Sequence, residues 1–519
     1  MIDNKRGLSL GKVTMFAIGA TLASGVFSLS GDFAAGGAHP LAVLIGWMIA
    51  GLGMLMLTLC FFRLSVIRPQ LTSGLYSYAK NGFGEYIGFN SAWGFWLSAL
   101  LGNLSLITLF FDSLGNFFPI FGNGTNLVSL IAGSAMIWGF GLLVMGGVNE
   151  AISINTIVVI AKIIPIAVMI GTIIFSGAFD WNILTGNMTG QGSGFSLMEQ
   201  VRSTVYTTVW VFVGIEGAVV ISGRAKSTSV SGKATVLAFV CLFVLYVTVS
   251  ILSMGVMRTE ELAILGNPPM AFLLGAVAGP WGSTLVNTGV IISVGGALFT
   301  YTILCVDSIY APALQHCFPR AFARQNKKGA PAGGVLITTL VTQIFLIVAY
   351  FNSATYQVIY ALSTSAIMVP YALSAFYCLK LTWRGEGENG NKKIGPLIYS
   401  FLGSLYGIWM LYASDVRHLS SMSLPDGKTA ARYFRPLPTK PLLCCLSCWL
   451  SCLFTLSPDS IRLTRPVCRP AIICSCTPLY GPELLQGAYR VSSAWNMKNN
   501  LLLYSGRILC CQGRCHDRR

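Results

Sequence analysis

Charge is what this chain has least of. Only 10% of its 519 residues are Asp, Glu, Lys or Arg, where soluble domains carry roughly 25%. The deficit excludes a soluble globular domain for the bulk of the chain. Histidine is scarcer still: of His39, His316, His418 and His516, only the first two precede residue 414, and neither lies in the middle of an apolar run. That leaves no nucleophile–base pair or metal set of the kind an intramembrane enzyme needs. No G-x-x-x-x-G-K-[ST] loop is present, which argues against a nucleotide-driven pump acting alone. No repeated filter segment points to a selective channel.

What is present is apolar sequence in long blocks. Pro40–Phe62, Tyr86–Phe111, Leu127–Val148, Ala234–Met257, Pro280–Val306 and Val335–Leu379 contain no charged residue. A bilayer core takes about 20 apolar residues per helix. Each of the first five blocks meets that once, and the sixth twice, split near Phe351-Asn352-Ser353. Backbone in lipid must satisfy its own hydrogen bonds, so the choice is helices or a closed barrel. Continuous runs rather than ten-residue alternation predict helices. Leu8–Leu29, polar-interrupted and without a small-residue cleavage pattern, reads as a retained first span rather than a signal peptide.

The expected spans are 9–31, 40–64, 87–113, 126–147, 152–176, 200–222, 234–257, 279–306, 332–350, 354–380 and 395–413. With the N-terminus inside, 17 of the 20 Lys and Arg in residues 1–413 fall on the inner side. The remainder are Lys162, Arg202 and Arg258. Positive charge concentrates in short cytoplasmic loops, so the count supports both span number and a cytosolic N-terminus. It also accounts for the basic balance without nucleic acid. Lys162, ten residues into its span, is expected to snorkel to the cytosolic headgroups. Asp112 and Asp307 lie near span ends, where a water-filled vestibule suffices.

Residues 414–519 are a different text. They hold 10 of the 15 Cys and 14 of the 34 Lys and Arg, and no long apolar helix. Cys444, Cys445, Cys448 and Cys452 look like a ligand cluster at first sight. However, Cys445-x₂-Cys448 has no second well-spaced pair, so no metal site is expected. The abrupt composition change reads as an aberrant or frame-shifted C-terminus rather than a redox or palmitoylated tail. The domain organisation is therefore a membrane unit, 1–413, with about 11 helices, and a Cys-rich basic tail, 414–519.

Two spans carry unusual residues at mid-depth. The first reads Gly19-Ala20-Thr21-Leu22-Ala23-Ser24-Gly25-Val26-Phe27. Such a cluster is either a small-residue packing face or a broken helix whose free N–H and C=O groups bind a substrate. The sixth reads Trp210-Val211-Phe212-Val213-Gly214-Ile215-Glu216-Gly217. An acid among apolar residues must face a cavity or a partner. Glu216 is either a neutral structural group or a proton-responsive one. Five spans separate the two, so inverted repeats of five helices would make them symmetry mates. Asn103 in the third span must pair across the bundle or face the pathway. Gly295, Gly296 and Tyr301 mark the eighth as tightly approached, which packing alone also explains.

Residues 5–413 resemble the amino acid–polyamine–organocation superfamily, and within it the basic amino acid antiporters of the arginine–ornithine type. Ser24-Gly25-Val26-Phe27 resembles the family's Ser-Gly-[Ile/Val]-Phe signature. Trp210–Glu216 resembles its Trp-x-Phe-x-Gly-x-Glu pattern, and Pro69–Gly84 its loop after the second span. The resemblance implies an all-α polytopic membrane protein with inverted five-helix repeats and broken helices 1 and 6, the LeuT-like fold. By position, Ser24 and Gly25 take the carboxylate-binding place and Trp210 that of an aromatic gate, with Gly214 at the second break. Glu216 takes the place of the pH-linked glutamate. In the third span Phe95 takes the place of an aromatic on the extracellular side and Asn103 that of a substrate contact, with Ser98 and Ala99 near the substrate side chain. The chain departs from the arginine–agmatine antiporters at Ala297, where they carry Trp; Tyr301, one turn later, offers an aromatic surface instead. The family's twelfth span has no counterpart in residues 414 onward.

The implied function is a secondary transporter in the cytoplasmic membrane, without a cofactor, that exchanges cationic amino acids, arginine for ornithine first among them. A proton-coupled amino acid or polyamine transporter and a non-transporting amino acid sensor are the alternatives. The expected partners are a small amino acid and the lipid bilayer, with the protein a monomer or homodimer.

Overall fold

The computed structural model describes residues 9–22, 24–71, 74–146, 151–216, 228–352, 355–387 and 394–414. Among them every regular element is helical. In chain order the helices are α1 (Leu10–Thr21), α2 (Gly25–Ala35), α3 (Pro40–Ile67), α4 (Leu75–Phe83), α5 (Glu85–Gly115), α6 (Leu127–Gly146), α7 (Ala151–Ser176) and α8 (Trp181–Gly186). They continue with α9 (Leu197–Trp210), α10 (Thr228–Val256), α11 (Thr259–Ala263), α12 (Pro269–Ala278), α13 (Pro280–Leu314), α14 (Ala332–Phe351), α15 (Tyr356–Trp383) and α16 (Ile394–Ala413).

Eight of these are long and apolar enough to cross a membrane: α3, α5, α6, α10, α13, α14, α15 and α16. The other three expected crossings coincide with the pair α1–α2, with α7, and with α9 and the residues after it. The sixth apolar block divides where the composition suggested, α14 ending at Phe351 and α15 beginning at Tyr356. Residues 217–222 of the sixth expected span, Gly217 among them, lie outside the described residues, as does the tail from 415 on with its cysteine cluster.

Local chemistry sets the helix starts. Proline occupies the first helical position of α3, α12 and α13, where its missing N–H costs nothing and its φ is already helical. A capping box opens α9: Ser196 Oγ accepts from Glu199 N–H while the Glu199 carboxylate accepts from Ser196 N–H. It satisfies two of the donors that a helix start leaves free.

Burial separates central helices from peripheral ones. In the most apolar 18-residue window, 78% of α5 and 72% of α15 is buried, against 28% of α6 and 33% of α16. The outer faces remain apolar, with Ile131 and Leu142 on α6, Leu336 and Ile344 on α14, and Phe401 and Leu405 on α16 all exposed. Apolar surface on that scale needs lipid to cover it. At the centre α5 packs against both α13 and α15, while α2 packs on α9 and α1 on α7 and α10. We call the side from which α1 enters the near face and its opposite the far face.

Both special helices are broken. The first span loses its helix after Thr21 and regains it at Gly25. The sixth stops at Trp210, and residues 211–216 run on as turns closed by i→i+3 bonds, Val213 N–H to Trp210 O and Ile215 N–H to Phe212 O at 3.1 Å each. Gly214 has φ +102°, a backbone region that residues with a Cβ rarely enter. The small-residue cluster of the first span is thus a break, and the glycine of the sixth is what lets the chain turn.

Candidate functional site

The two breaks touch. A Cβ placed on Gly25 would lie 2.6 Å from Val211 Cγ1 and 3.2 Å from Trp210 Cδ1. Glycine at 25 therefore serves close approach: a methyl there would occupy the space of the sixth span. Phe27 N–H of α2 bonds back to Ser24 O at 3.0 Å, while the N–H groups of Gly25 and Val26 precede any acceptor of their own helix. They sit at the positive end of that helix, which suits a carboxylate.

Trp210 is buried and held from two sides. Its Nε1 donates to Tyr356 Oη at 3.1 Å, and its ring stacks on Tyr360 with centroids 5.6 Å apart and planes 25° apart. Ser24 Oγ and Ser28 Oγ lie 3.2 Å and 3.3 Å from the same Tyr356 oxygen. Thr207 Oγ1 is 3.3 Å from Tyr360 Oη. The far edge of the indole reaches α5, with Trp210 Cη2 3.4 Å from a Cβ built on Gly102 and Tyr301 Cε1 3.1 Å from the same point. Trp210 thus stands between the first break and the α5–α13 contact. Tyr301, the aromatic one turn after Ala297, faces that contact.

The α5 residues follow from there. Ser98 Oγ is 3.2 Å from Ser363 Oγ, and Ser363 Oγ donates to Ser98 O at 2.7 Å. Ala99 is buried on the same helix. Asn103 Nδ2 donates to Thr302 Oγ1 at 3.2 Å, while its Oδ1, also buried, has no hydrogen-bond partner among the described residues. The amide therefore pairs across the bundle and keeps one acceptor free.

Phe95 lies earlier on α5 than Ser98, Ala99 and Asn103. It lies in the near-face half of α5, beside Trp93 and Trp96, which pack on Phe318 and Phe322 of the loop after α13. Phe95 is therefore on the near-face side of Asn103, the side from which α1 enters. The reason is the direction of the chain: an odd-numbered span starts at the near face, so its earlier residues are the nearer ones.

Glu216 is buried beyond the second break. Its Oε2 accepts from Tyr371 Oη at 2.7 Å and from Gly214 N–H at 3.2 Å, and its Oε1 has no partner among the described residues. The carboxyl is tied both to the turn that carries Gly214 and to α15.

Lys162 is a correction. It does not reach the headgroups: it is 1% exposed, and its Nζ donates to Gly19 O at 3.1 Å. An ammonium at this point meets a carbonyl of the last turn of α1, where the free C=O groups and the negative helix end favour a cation. Snorkelling needs a free route along the helix to the interface, and α1 and α13, both packed on α7, close it.

Sequence reasoning missed α15. Tyr356, Tyr360, Ser363 and Tyr371 all come from it, spaced to share one face, and each touches a residue singled out above. The signal was available as a polar stripe inside a charge-free span. It passed unnoticed because hydroxyl groups barely lower the apolarity of a block.

Comparison with known proteins agrees with this geometry. The amino acid permease family model matches residues 8–423. The chain belongs to the amino acid permease family. A protein of Pseudomonas aeruginosa named arginine/ornithine antiporter is 40% identical over 427 residues, covering 80% of this chain and 88% of that one. A Latilactobacillus sakei protein of the same name is 37% identical, covering 81% and 88%. A Corynebacterium glutamicum protein named L-lysine transport protein is also 37% identical, covering 79% and 85%. The permease match ends at residue 423, close to where the composition changes. The chain is a multi-pass membrane protein of a transporter family, and the two broken spans, five apart, are the inverted-repeat LeuT-like arrangement the sequence implied.

Proposed function

We propose that this permease is an antiporter of cationic amino acids in the cytoplasmic membrane, exchanging arginine for ornithine, with its N-terminus in the cytosol. The observation that carries it is the meeting of the two breaks at Gly25 and Trp210–Val211, which joins a helix N-terminus to an aromatic wall. Relatives named arginine/ornithine antiporter at 37–40% identity support the cargo. In this assignment Ser24 and Gly25 hold the α-carboxylate. Trp210 covers the alkyl stem or guanidinium through cation–π contact, and Ser98, Ala99 and the free Oδ1 of Asn103 line the distal end. Gly214 supplies the turn, Glu216 couples protons to gating, and Tyr301 and Phe95 flank the path. Arginine and ornithine carry the same net charge at neutral pH, so exchange needs neither ATP nor an ion gradient.

Lysine is the second reading, since the relative named L-lysine transport protein is as similar to this chain, at 37% identity, as the Latilactobacillus protein is. Proteoliposomes loaded with ornithine, with lysine, or with neither decide between the two. Arginine uptake that requires internal ornithine and ignores membrane potential supports the exchange. Uptake into empty liposomes driven by a proton gradient overturns it, and binding without flux identifies a sensor.

A further inference from the structure

The cargo proposed above carries a positive charge, and none of the residues assigned to it is an anion placed to meet that charge. Asp32 is an unassigned carboxylate three hydrogen bonds from the Trp210 indole. It lies on α2, 5% exposed, and its Oδ2 accepts from Ser28 Oγ at 2.6 Å. Ser28 Oγ is in turn 3.3 Å from Tyr356 Oη, the oxygen that takes the Trp210 indole proton. The other carboxylate oxygen, Oδ1, is buried and has no hydrogen-bond partner among the described residues. Buried carboxylates are ordinarily paired with a cation; among the described residues this one has only the neutral side chains of Ser28 and Gln357 against it.

Its place in the fold says what the missing partner is. Asp32 is seven residues after Gly25, about 10 Å along α2 toward the far face at 1.5 Å per residue. Gln357, next to Tyr356 on α15, lies beside it, and Gln357 Nε2 donates to Asn267 Oδ1 at 3.1 Å. Asn267 belongs to the far-face segment between α11 and α12, and the half-buried Asp112 near the end of α5 lies next to it. A line of side chains with acceptor oxygens therefore runs from Asp112 at the far face, through Asn267 and Gln357, to Asp32 above the paired breaks. The indole separates this line from the distal pocket. Its Nε1 edge faces Gly25 and Tyr356, while its Cη2 edge faces Gly102 beside Asn103. Asp32 is thus a distinct point on the far-face side of the site.

We propose that Asp32, with Ser28, Tyr356 and Gln357, forms a cation subsite on the far-face side of the breaks that takes the guanidinium or ammonium head of the amino acid as it passes. The open Oδ1 accepts from the head group, Ser28 fixes the carboxylate rotamer, and the Tyr356 hydroxyl links occupancy of the subsite to the Trp210 indole. The inference rests on the cationic cargo proposed above, and its test separates the two.

The probe is agmatine, which has the guanidinium and lacks the carboxylate that the first break would hold; citrulline, the neutral isostere of arginine, is the control. Both compete from the far face against arginine entering ornithine-loaded proteoliposomes of known orientation. Asp32→Asn is expected to weaken agmatine competition tenfold or more and to raise the arginine half-saturation on that face, with citrulline competition shifted less than twofold. Asp32→Glu restores most of the agmatine effect. Gln357→Glu adds a second carboxylate and strengthens agmatine competition severalfold, which keeps the test decisive if Asp32→Asn does not insert. Equal agmatine competition in wild type, Asp32→Asn and Gln357→Glu overturns the subsite while leaving the exchange function intact. A wild type with no ornithine-dependent arginine uptake overturns the cargo assignment first, and the subsite with it.

Discussion

Glu216 shows how much one buried oxygen can decide. Among the described residues its Oε2 has two donors and its Oε1 none, so the group can change protonation state without losing its whole shell. Glutamine at this position has nearly the same shape and still accepts from Tyr371 and from Gly214 N–H, but it cannot titrate. Glu216→Gln is therefore expected to insert normally and to exchange at a rate that varies less than twofold between pH 5 and pH 8, where the wild type varies severalfold. Exchange across a pH series in proteoliposomes checks this, and an unchanged profile in a well-expressed variant removes Glu216 from proton coupling. At this scale the sequence was readable where chemistry forced a residue to stand out. An acid between glycines, and a Ser-Gly pair at mid-span, are conspicuous in apolar text. Lys162 was equally conspicuous and was misread, because whether a lysine can snorkel depends on the neighbours that close its route. Asp32 was not singled out at all: only the three-dimensional structure shows that its second oxygen lacks a hydrogen-bond partner among the described residues.

Elements behave differently, because a break has to be matched by the surface it meets. Composition located most helices to within a few residues, since long charge-free blocks leave little choice. It left the first span open between a packing face and a break, and the contact of Gly25 with Val211 shows how both features serve one purpose. The test is steric. Gly25→Ala brings a methyl to 2.6 Å from Val211 Cγ1, an overpacking of the kind that costs about 1–3 kcal/mol. If the methyl disfavours only the closed pairing of the breaks, about 1.4 kcal/mol converts to a tenfold loss of that population. Exchange is expected to fall tenfold or more at near-normal expression. Val211→Ala in the same chain should recover at least a third of the lost rate, because it removes the atom the methyl meets. Coupling of that size between two residues in contact is what a double-mutant cycle measures. Strictly additive losses would mean that the breaks do not close on each other during transport. The helix that sequence reasoning undervalued, α15, belongs to the same scale: Tyr356, Tyr360 and Tyr371 carry no charge and share one face, so only their convergence on Trp210 and Glu216 reveals them.

For the whole molecule the open quantity is direction, since the same bundle could sit either way up. The charges favour the proposed orientation: near-face loops hold Arg68, Lys80, Arg320, Arg324, Lys327, Lys328, Lys380 and Arg384, while Asp180, Glu199, Glu260 and Glu261 lie on the far face beside Arg202 and Arg258. Several near-face charges are also tied into the structure. Arg68 pairs with Glu386, Lys80 with Glu85 at 3.0 Å, and Lys380 donates to Gly82 O, so two loops and the start of α5 form one basic surface. Such a surface stays with the anionic cytoplasmic leaflet, where each Lys or Arg contributes about 1 kcal/mol. Single cysteines at exposed Asn123 or Gln191, in a chain whose own cysteines are replaced by serine, should react with an impermeant maleimide in intact cells. A cysteine at exposed Lys328 should react only after permeabilisation. The reverse pattern would place the N-terminus outside. It would also turn the line from Asp112 to Asp32 toward the cytosol, making that line an exit for arginine rather than the path by which it arrives. The sidedness measurement therefore also fixes which partner of the exchange meets the carboxylates first, and on the proposed orientation that partner is the amino acid taken up from the medium.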